Sequence, residues 1–113
     1  MVLNGTDEQL NKTKFTQPAL YVTSVILGKI LVDRGIEPFS VAGHSLGEYS
    51  ALTISNSVSF EKGLELVKVR SESMDIAGKL NGGTMAAIVG LEEDKVQAIC
   101  SSYTGEGLSL IHI

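Results

Sequence analysis

The sequence predicts an α/β fold, and three observations carry that prediction. Short apolar runs of strand length alternate with longer helical segments, which is typical of parallel sheets whose strands are joined by helices. A serine flanked by glycines follows the first of these runs directly, in the motif GHSLG at residues 43–47. A glycine-rich break at residues 81–83 then separates a larger region, 1–80, from a smaller region, 81–113. We therefore expect two α/β subdomains.

A long first helix is predicted over residues 17–34. Thr16 is interpreted as its N-cap, Pro18 suits its first turn, and Gly35 follows its end. Apolar residues surround the predicted axis, so we expect this helix to be buried between layers rather than to lie on a surface. Residues 1–14 carry no sustained period and are expected to form a surface lead-in.

The rest of the chain alternates between strand-length and helix-length segments. FSVA, at residues 39–42, is short and largely apolar, which is typical of a parallel strand covered on both faces. In order along the chain, the further predictions are a helix at 46–54, a helix at 60–80, a strand at 84–89, a helix at 92–102 and a strand at 108–113.

Composition and charge exclude several classes of protein. With 43% apolar and 19% charged residues, the chain is typical of a soluble globular domain. The net charge of −4 opposes nucleic-acid binding, and the longest apolar stretch, VILGKILV, is too short to span a bilayer. Cys100 is the only cysteine, so we expect neither a disulfide nor a structural zinc site. The expected protein is cytoplasmic and binds no metal, nucleic acid or membrane.

Ser45 is the candidate nucleophile. A sharp turn between a strand and a helix would lift its hydroxyl above the strand end, and Gly43 and Gly47 stand where side chains would collide in such a turn. Leu46 begins the predicted helix, and its unpaired backbone N–H would supply one half of an oxyanion hole. The alternative interpretation of Ser45 is a plain helix N-cap.

Arg70 lies on the apolar face of the predicted helix 60–80. A guanidinium in that position needs an anionic partner, because an unpaired buried charge is costly. One interpretation is a structural ion pair within the protein. The other is a fork that grips a substrate carboxylate through two parallel hydrogen bonds. Spacing alone leaves both interpretations open.

The base that a serine nucleophile requires is not recognisable in the sequence. His44 directly precedes Ser45, and an adjacent residue at a tight turn points away from the hydroxyl, so we interpret it as a packing or supporting histidine. His112 stands at the end of the sequence. The motif therefore predicts the nucleophile without its partner.

Four segments together resemble the malonyl-CoA:acyl carrier protein transacylase family. They are FTQPAL at residues 15–20, GHSLGEYSAL at 43–52, the arginine-bearing LVKVRSESM at 66–74, and GGTMAAIVGL at 82–91. They occur in the family's order, and the resemblance covers about residues 10–108. The combination is far more specific than any single motif.

The resemblance implies that Ser45 is acylated by malonyl-CoA and that Arg70 holds the malonyl carboxylate. It implies that Leu46 donates one oxyanion hydrogen bond and that Gln17 lines the active site, although Gln17 is open to a second interpretation as a polar helix start. Ping-pong transfer to the phosphopantetheine thiol of an acyl carrier protein follows, in fatty acid biosynthesis. No cofactor is implied beyond malonyl-CoA as a substrate.

The resemblance also implies a fold for the chain and predicts which parts of the family's active site are missing from it. Residues 1–80 would form a partial α/β-hydrolase-like subdomain, and residues 81–113 the beginning of a ferredoxin-like subdomain. The loop that supplies the second oxyanion donor and the downstream histidine base have no counterpart here, so we expect a truncated chain that is nearly inactive alone. Two rival functions remain, a serine esterase of the α/β-hydrolase class and a non-catalytic domain that binds carrier protein.

Overall fold

The computed structural model describes residues 4–80, 82–83, 85–108 and 110. Regular structure within these residues is helical, and it comprises α1 (Asp7–Leu10), α2 (Thr13–Asp33), α3 (Gly47–Ile54), α4 (Phe60–Leu80) and α5 (Glu93–Ser102). The chain divides into two compact units, residues 1–82 and residues 83–113. The division falls two residues beyond the boundary expected after Leu80.

Helices α3, α4 and α5 confirm the predicted helices at 46–54, 60–80 and 92–102. Helix α4 has the predicted bounds, and α3 and α5 each begin one residue later than predicted. Two acidic residues, Glu93 and Asp94, occupy the first turn of α5, where the helix dipole favours negative charge. The helical periodicity of these segments was therefore a sound guide to their structure.

Helix α2 confirms the predicted long helix but begins four residues earlier, at Thr13. Thr16 is not its N-cap: the Thr16 hydroxyl donates to the backbone oxygen of Leu10 and, at 3.0 Å, to that of Lys12. Pro18 consequently lies inside the helix rather than in its first turn. A threonine that bonds back to the preceding turn is compatible with a helix interior, which the sequence interpretation did not consider.

The end of α2 follows the prediction made from Gly35. Gly35 has a φ of +83°, which glycine adopts without steric strain. Its N–H donates to Val32 O at 2.9 Å, while the N–H of Ile36 donates to Leu31 O at 3.1 Å. These two bonds form a Schellman motif, which satisfies carbonyls that the helix end would otherwise leave without partners.

Helix α1 corrects the expectation that residues 1–14 form an irregular lead-in. Thr6 caps this helix, its hydroxyl accepting from the Gln9 N–H at 3.3 Å. The Gln9 side chain accepts from the Thr6 N–H at 3.4 Å, which completes a capping box. The threonine–glutamine spacing was a readable helix signal in the sequence, since it is the spacing that a capping box requires.

The core of the larger unit lies where α2, α3 and α4 meet. Its buried apolar side chains are Tyr21 and Val25 from α2, Val67 from α4, and Leu46 just before α3. Tyr21, Val25 and Val67 are fully buried. Because the core joins three helices with few apolar residues, each of these side chains carries a large share of the packing that holds the helices together.

A buried hydrogen-bond cluster connects the same three helices. The Tyr21 hydroxyl lies 2.8 Å from Thr53 Oγ1 on α3 and 2.9 Å from Phe60 O at the start of α4. The Thr53 hydroxyl lies 2.9 Å from Tyr49 O, so two hydroxyl protons serve three contacts. The Tyr21 and Phe60 rings stack with centroids 5.6 Å apart. We call Tyr21, Thr53 and Phe60 the three-helix junction.

The expectation that α2 is buried on all sides is wrong for this chain. Its buried residues, Gln17, Tyr21 and Val25, lie at intervals of four along one face. Elsewhere the helix exposes large apolar side chains by 42–56%, namely Leu20, Ile26, Leu27, Ile30 and Leu31. Helix α2 is buried on one side only, because α3 and α4 pack against the same face of it.

Helix α2 is longer than VILGKILV, the apolar stretch that is by itself too short to span a bilayer. Among the described residues, Thr13–Asp33 is one helix with the length and mean hydropathy, 1.4, of a membrane span. Length and composition are weak grounds for a span, because core helices of soluble proteins meet the same criteria. Helix α2 also carries a face that packs against α4, which is the behaviour of a core helix.

The three predicted strands are not formed in the part of the chain that the structure describes. Residues 39–42 and 85–89 are irregular, as are residues 108 and 110, while the remaining positions of the predicted strands lie outside the described residues. Strands need a backbone partner, and FSVA has none among the described segments. Phe39 is accordingly fully exposed. The α/β prediction is thus met only in its helices.

Candidate active site

Ser45 occupies a sharp turn immediately before α3. Its φ of +53° is uncommon for a residue with a side chain and costs of order 1 kcal/mol or more. The residue is exposed. A strained, exposed serine at the entrance to a helix is the arrangement of a nucleophile elbow, although the strand that should precede it is irregular here.

Gly43 and Gly47 differ in the reason for which each lacks a side chain. A Cβ at Gly43 would overlap the carbonyl carbon and oxygen of Gly47 and the backbone nitrogen of Glu48. The elbow therefore folds back on itself so closely that position 43 has no room for a side chain. A Cβ at Gly47 would meet nothing within 4 Å, so the expected collision there is wrong among the described residues.

Leu46 combines a buried side chain with a backbone amide at the N-terminus of α3. The side chain is part of the core, at 9% exposure. Leu46 is the N-cap residue, so its N–H lies outside the i→i−4 ladder and α3 proper begins at Gly47. The Gly47 N–H is already used, donating to His44 O at 2.8 Å. The oxyanion role of Leu46 stays a prediction, with its amide suitably placed at a helix start.

Arg70 brings its guanidinium to the candidate nucleophile. Arg70 Nη2 donates to Ser45 Oγ at 3.0 Å. Arg70 Nη1 donates to Gln17 Oε1. Both partners are neutral, and among the described residues the ion pairs are Lys12–Glu8, Lys62–Glu65 and Lys79–Asp75. The interpretation of Arg70 as a structural ion pair therefore finds no carboxylate in this part of the protein, and its charge is left unneutralised beside Ser45.

Gln17 joins the site through Arg70. Its side chain is 7% exposed and faces α4, so the alternative interpretation as a polar helix start is wrong. Its amide nitrogen donates to Met74 Sδ at 3.3 Å. The sequence analysis gave Met74 no role, although its position four residues after Arg70 puts both residues on one face of the helix.

Among the described residues, no side chain that could act as a base hydrogen-bonds to Ser45 Oγ. Arg70 is the side chain that hydrogen-bonds to Ser45 Oγ, and an arginine does not lose its proton in proteins. His44 is exposed, so it does not pack in the core of the described residues, and its alternative role as a supporting histidine stays a prediction. His112 lies outside the described residues. Nor does this part of the chain bring together three or more histidine, cysteine or acidic side chains that could hold a metal ion.

The family model described as the acyl transferase domain matches residues 1–104. The chain belongs to the acyl transferase domain family. The resemblance seen in the four sequence segments is thereby confirmed.

Named relatives of this acyl transferase domain include malonyl transacylases. It is 45% identical to the polyketide biosynthesis malonyl CoA-acyl carrier protein transacylase PksC of Bacillus subtilis (strain 168), over 91% of this chain and 35% of that protein. It is 42% identical to the malonyl CoA-acyl carrier protein transacylase of Escherichia coli (strain K12), over 85% of this chain and 31% of the relative.

A crystal structure of malonyl-CoA:ACP transacylase from Synechocystis sp. PCC 6803 resembles this acyl transferase domain with a TM-score of 0.77 at 45% identity. The alignment covers 88% of this chain and 33% of that structure. The chain thus spans about a third of the length of the relatives that it matches.

Proposed function

We propose that the full-length protein containing this chain transfers a malonyl group from coenzyme A to the phosphopantetheine thiol of an acyl carrier protein, through a malonyl ester on Ser45. The observation that carries the proposal is the contact between Arg70 Nη2 and Ser45 Oγ at 3.0 Å. It joins a nucleophile to a cation that no carboxylate of the described residues neutralises. The relatives' names, which specify malonyl CoA-acyl carrier protein transacylases, support the same substrates.

The proposed first half-reaction acylates Ser45. Its Oγ attacks the thioester carbonyl, its proton passes to a base contributed by residues outside those described, and a tetrahedral oxyanion forms. The Leu46 N–H stabilises that oxyanion. The Oγ–C bond has formed in that attack; collapse of the oxyanion restores the C=O double bond and breaks the C–S bond, so that coenzyme A leaves as a thiol after taking up a proton. The carrier-protein thiol then attacks the ester by the same steps in reverse order.

Arg70 selects the acyl group in this scheme. Its planar guanidinium offers two parallel donors to a carboxylate, and a malonyl group attached at Ser45 carries a carboxylate two carbon atoms from the ester oxygen. The charge that Arg70 holds beside neutral partners then gains its counterion from the substrate. An esterase acting on uncharged esters has no need of that cation, so the esterase alternative explains Arg70 less well.

The finer features of the fold belong to the same proposal. We propose that residues 39–42 become a strand of an α/β-hydrolase-like sheet when the rest of the protein supplies neighbouring strands, and that residues 81–113 begin a ferredoxin-like subdomain. Support comes from the structural likeness to the Synechocystis transacylase. The proposed protein is cytoplasmic, acts on malonyl-CoA and an acyl carrier protein, and needs no resident cofactor, since serine ester chemistry requires none.

The proposal is tested by acylation of the protein expressed from the complete reading frame that contains this sequence. Incubation with malonyl-CoA should place a malonyl group on the peptide that bears Ser45, detected by mass spectrometry of a digest. Ser45→Ala is the matched control and should carry no label. Addition of an acyl carrier protein should discharge the ester. An unlabelled serine in the intact protein would overturn the proposal.

A parallel incubation with acetyl-CoA separates the proposed transferase from its rivals. A serine esterase should accept the acetyl group at least as readily as the malonyl group. A non-catalytic domain that binds carrier protein should form no ester with either donor and should bind carrier protein equally well after Ser45→Ala. A strong preference for the malonyl donor is the expected result.

A further inference from the structure

Gln17 sits between two unlike neighbours on α4, and this arrangement determines which way its amide faces. On one side is Arg70, which has only donors; on the other is Met74, whose thioether sulfur is only a weak acceptor. The amide oxygen therefore faces Arg70 and the amide NH₂ faces the sulfur. The reverse orientation would set donors against donors at Arg70 and leave the amide oxygen against a sulfur that cannot donate.

We propose that Met74 is a positioning residue whose thioether fixes the orientation of the Gln17 amide, so that Gln17 holds the Arg70 guanidinium over Ser45 without neutralising its charge. This inference rests on the proposed function, because it assigns Arg70 the task of receiving the malonyl carboxylate. It adds to that function a residue that does not touch the substrate and acts through two others.

Burial makes the sulfur contact matter. Gln17 is 7% exposed, and an NH₂ group shielded from water needs an acceptor, because a buried donor without one forfeits its hydration. Met74 Sδ, 3.3 Å from Gln17 Nε2, supplies that acceptor. Without the sulfur, rotation of the amide or its movement away from α4 would become favourable. The guanidinium would then lose its hydrogen bond to Gln17 and keep only the one to Ser45.

The neutrality of the anchor matters as well. A carboxylate at position 17 would also accept from Arg70 Nη1, but it would complete an ion pair and compete with the substrate for the same cation. A glutamine supplies the acceptor and leaves the full positive charge for an incoming acid. Among the described residues no acidic side chain pairs with Arg70, which is the condition that this role requires.

The test measures malonyl-CoA kinetics in the full-length protein with three variants. Met74→Leu nearly conserves volume and removes the acceptor, so KM for malonyl-CoA should rise about 3- to 10-fold, with kcat less affected. Met74→Gln restores an acceptor and should return KM toward the original value. Ile76→Leu, an exposed position on the same helix, is the matched control and should change nothing.

Inhibition by free coenzyme A shows whether the effect is confined to the carboxylate site. Coenzyme A carries no malonyl carboxylate, so its inhibition constant should be the same in Met74→Leu as in the unaltered protein. An equal loss of affinity for malonyl-CoA and coenzyme A would indicate general disruption and would overturn the inference, as would an unchanged KM in Met74→Leu.

Gln17→Glu provides an independent check and should raise KM for malonyl-CoA more than Met74→Leu does, because it neutralises Arg70. A Gln17→Glu variant with unaltered malonyl affinity would contradict the role given to a neutral anchor. If the unaltered protein forms no malonyl ester on Ser45, the proposed function itself fails and this inference falls with it. If the ester forms and the Met74 variants behave like the unaltered protein, the inference alone is wrong.

Discussion

A hydrogen bond from Arg70 to Ser45 has two chemical consequences at the scale of single residues. It engages a lone pair of Oγ in the resting site, and it positions a cation within reach of whatever the serine becomes bonded to. We expect a carboxylate that binds the guanidinium in place of Ser45 to free the hydroxyl, so that binding of the acid and release of the nucleophile would occur together.

Replacing Arg70 should discriminate between acyl donors in the full-length protein. Arg70→Ala should lower kcat/KM for malonyl-CoA about 100-fold, because two hydrogen bonds to a charged group are lost. Arg70→Lys should recover only part of that loss, since an ammonium group does not present a planar pair of donors. Transfer from acetyl-CoA, measured in parallel, should fall much less. An equal fall for both donors would refute the carboxylate role.

The two glycines of the elbow should respond differently to alanine. Gly43→Ala should destabilise this chain by about 2 kcal/mol or more, because its Cβ would overlap backbone atoms that cannot rotate away. Gly47→Ala has open space and lies at the start of a helix, so its free energy of unfolding should change by less than about 1 kcal/mol. Urea unfolding followed by circular dichroism measures both, and similar losses would count against the described elbow.

At the scale of elements, the three-helix junction sets the site because each helix carries one of its parts. Gln17 lies one turn from Tyr21 on α2, and Arg70 lies one turn from the buried Val67 on α4. Ser45 lies just before the N-terminus of α3. Near the C-terminal end of that helix, Thr53 is hydrogen-bonded to Tyr21 on α2. A shift of any helix at the junction would therefore move a site residue relative to the other two.

Gly63 gives a test of that junction. A Cβ there would overlap Tyr21 Oη and lie 2.8 Å from Tyr21 Cζ and 3.0 Å from Thr53 Oγ1. Gly63→Ala should therefore destabilise the chain by about 1–3 kcal/mol, despite the better helix propensity of alanine. Thermal unfolding measures the change.

Gly78→Ala is the matched control for Gly63→Ala, since a Cβ at Gly78 on the same helix meets nothing within 4 Å. It should be neutral or stabilising by up to about 1 kcal/mol. Adding Tyr21→Phe to Gly63→Ala should recover part of the loss, because it removes the atom that the new methyl group would overlap. Equal effects of the two alanines would mean that the helices do not approach so closely.

Sequence patterns predicted the helices well and the strands poorly, for a physical reason. A helix closes its hydrogen bonds within one segment, so α4 could be placed from its own residues. A strand such as FSVA depends on partners elsewhere in the chain, and its apolar character says nothing about whether they are present. The wrong expectation that α2 is buried on all sides has the same cause. Apolar residues around a helix indicate that it should be packed against other elements, but they do not show whether those elements are present.

The site divides in a similar way. Ser45, Gly43 and Arg70 could be singled out because each breaks a local rule, either of turn geometry or of charge on an apolar face. Met74 could not be, because a methionine in an apolar stripe fits its surroundings. Its contact with Gln17 joins positions 57 residues apart, and such a contact becomes visible only when two helices are packed together.

At the scale of the whole molecule, the exposed apolar face of α2 should govern the behaviour of this chain in solution. Contiguous apolar surface binds hydrophobic dyes and promotes association. The chain should increase the fluorescence of ANS at low concentration. Leu27→Gln combined with Leu31→Gln should lower that fluorescence while circular dichroism stays unchanged, whereas Leu52→Gln on α3 serves as an exposed control. No increase in ANS fluorescence would contradict the exposure of the apolar face of α2.

The exposed apolar face of α2 can be compared with the length of the relatives, because this chain spans only part of each of them. About a third of each relative's length aligns here. The exposed face of α2 and the unpaired FSVA segment are the kinds of surface that further protein would cover in a protein of the relatives' size. Stability measured on the 113 residues alone therefore describes these residues and not a longer protein.

The unneutralised guanidinium of Arg70 has a practical consequence for anyone handling the protein. If Arg70 holds the malonyl carboxylate as proposed, we expect it to attract other small organic acids too, so that acetate, citrate or formate in a buffer would compete with malonyl-CoA and raise its KM. Kinetic constants should accordingly be collected in zwitterionic buffers with chloride as the counterion. Crystals grown from malonate should, by contrast, show a malonate ion bound to the Arg70 guanidinium.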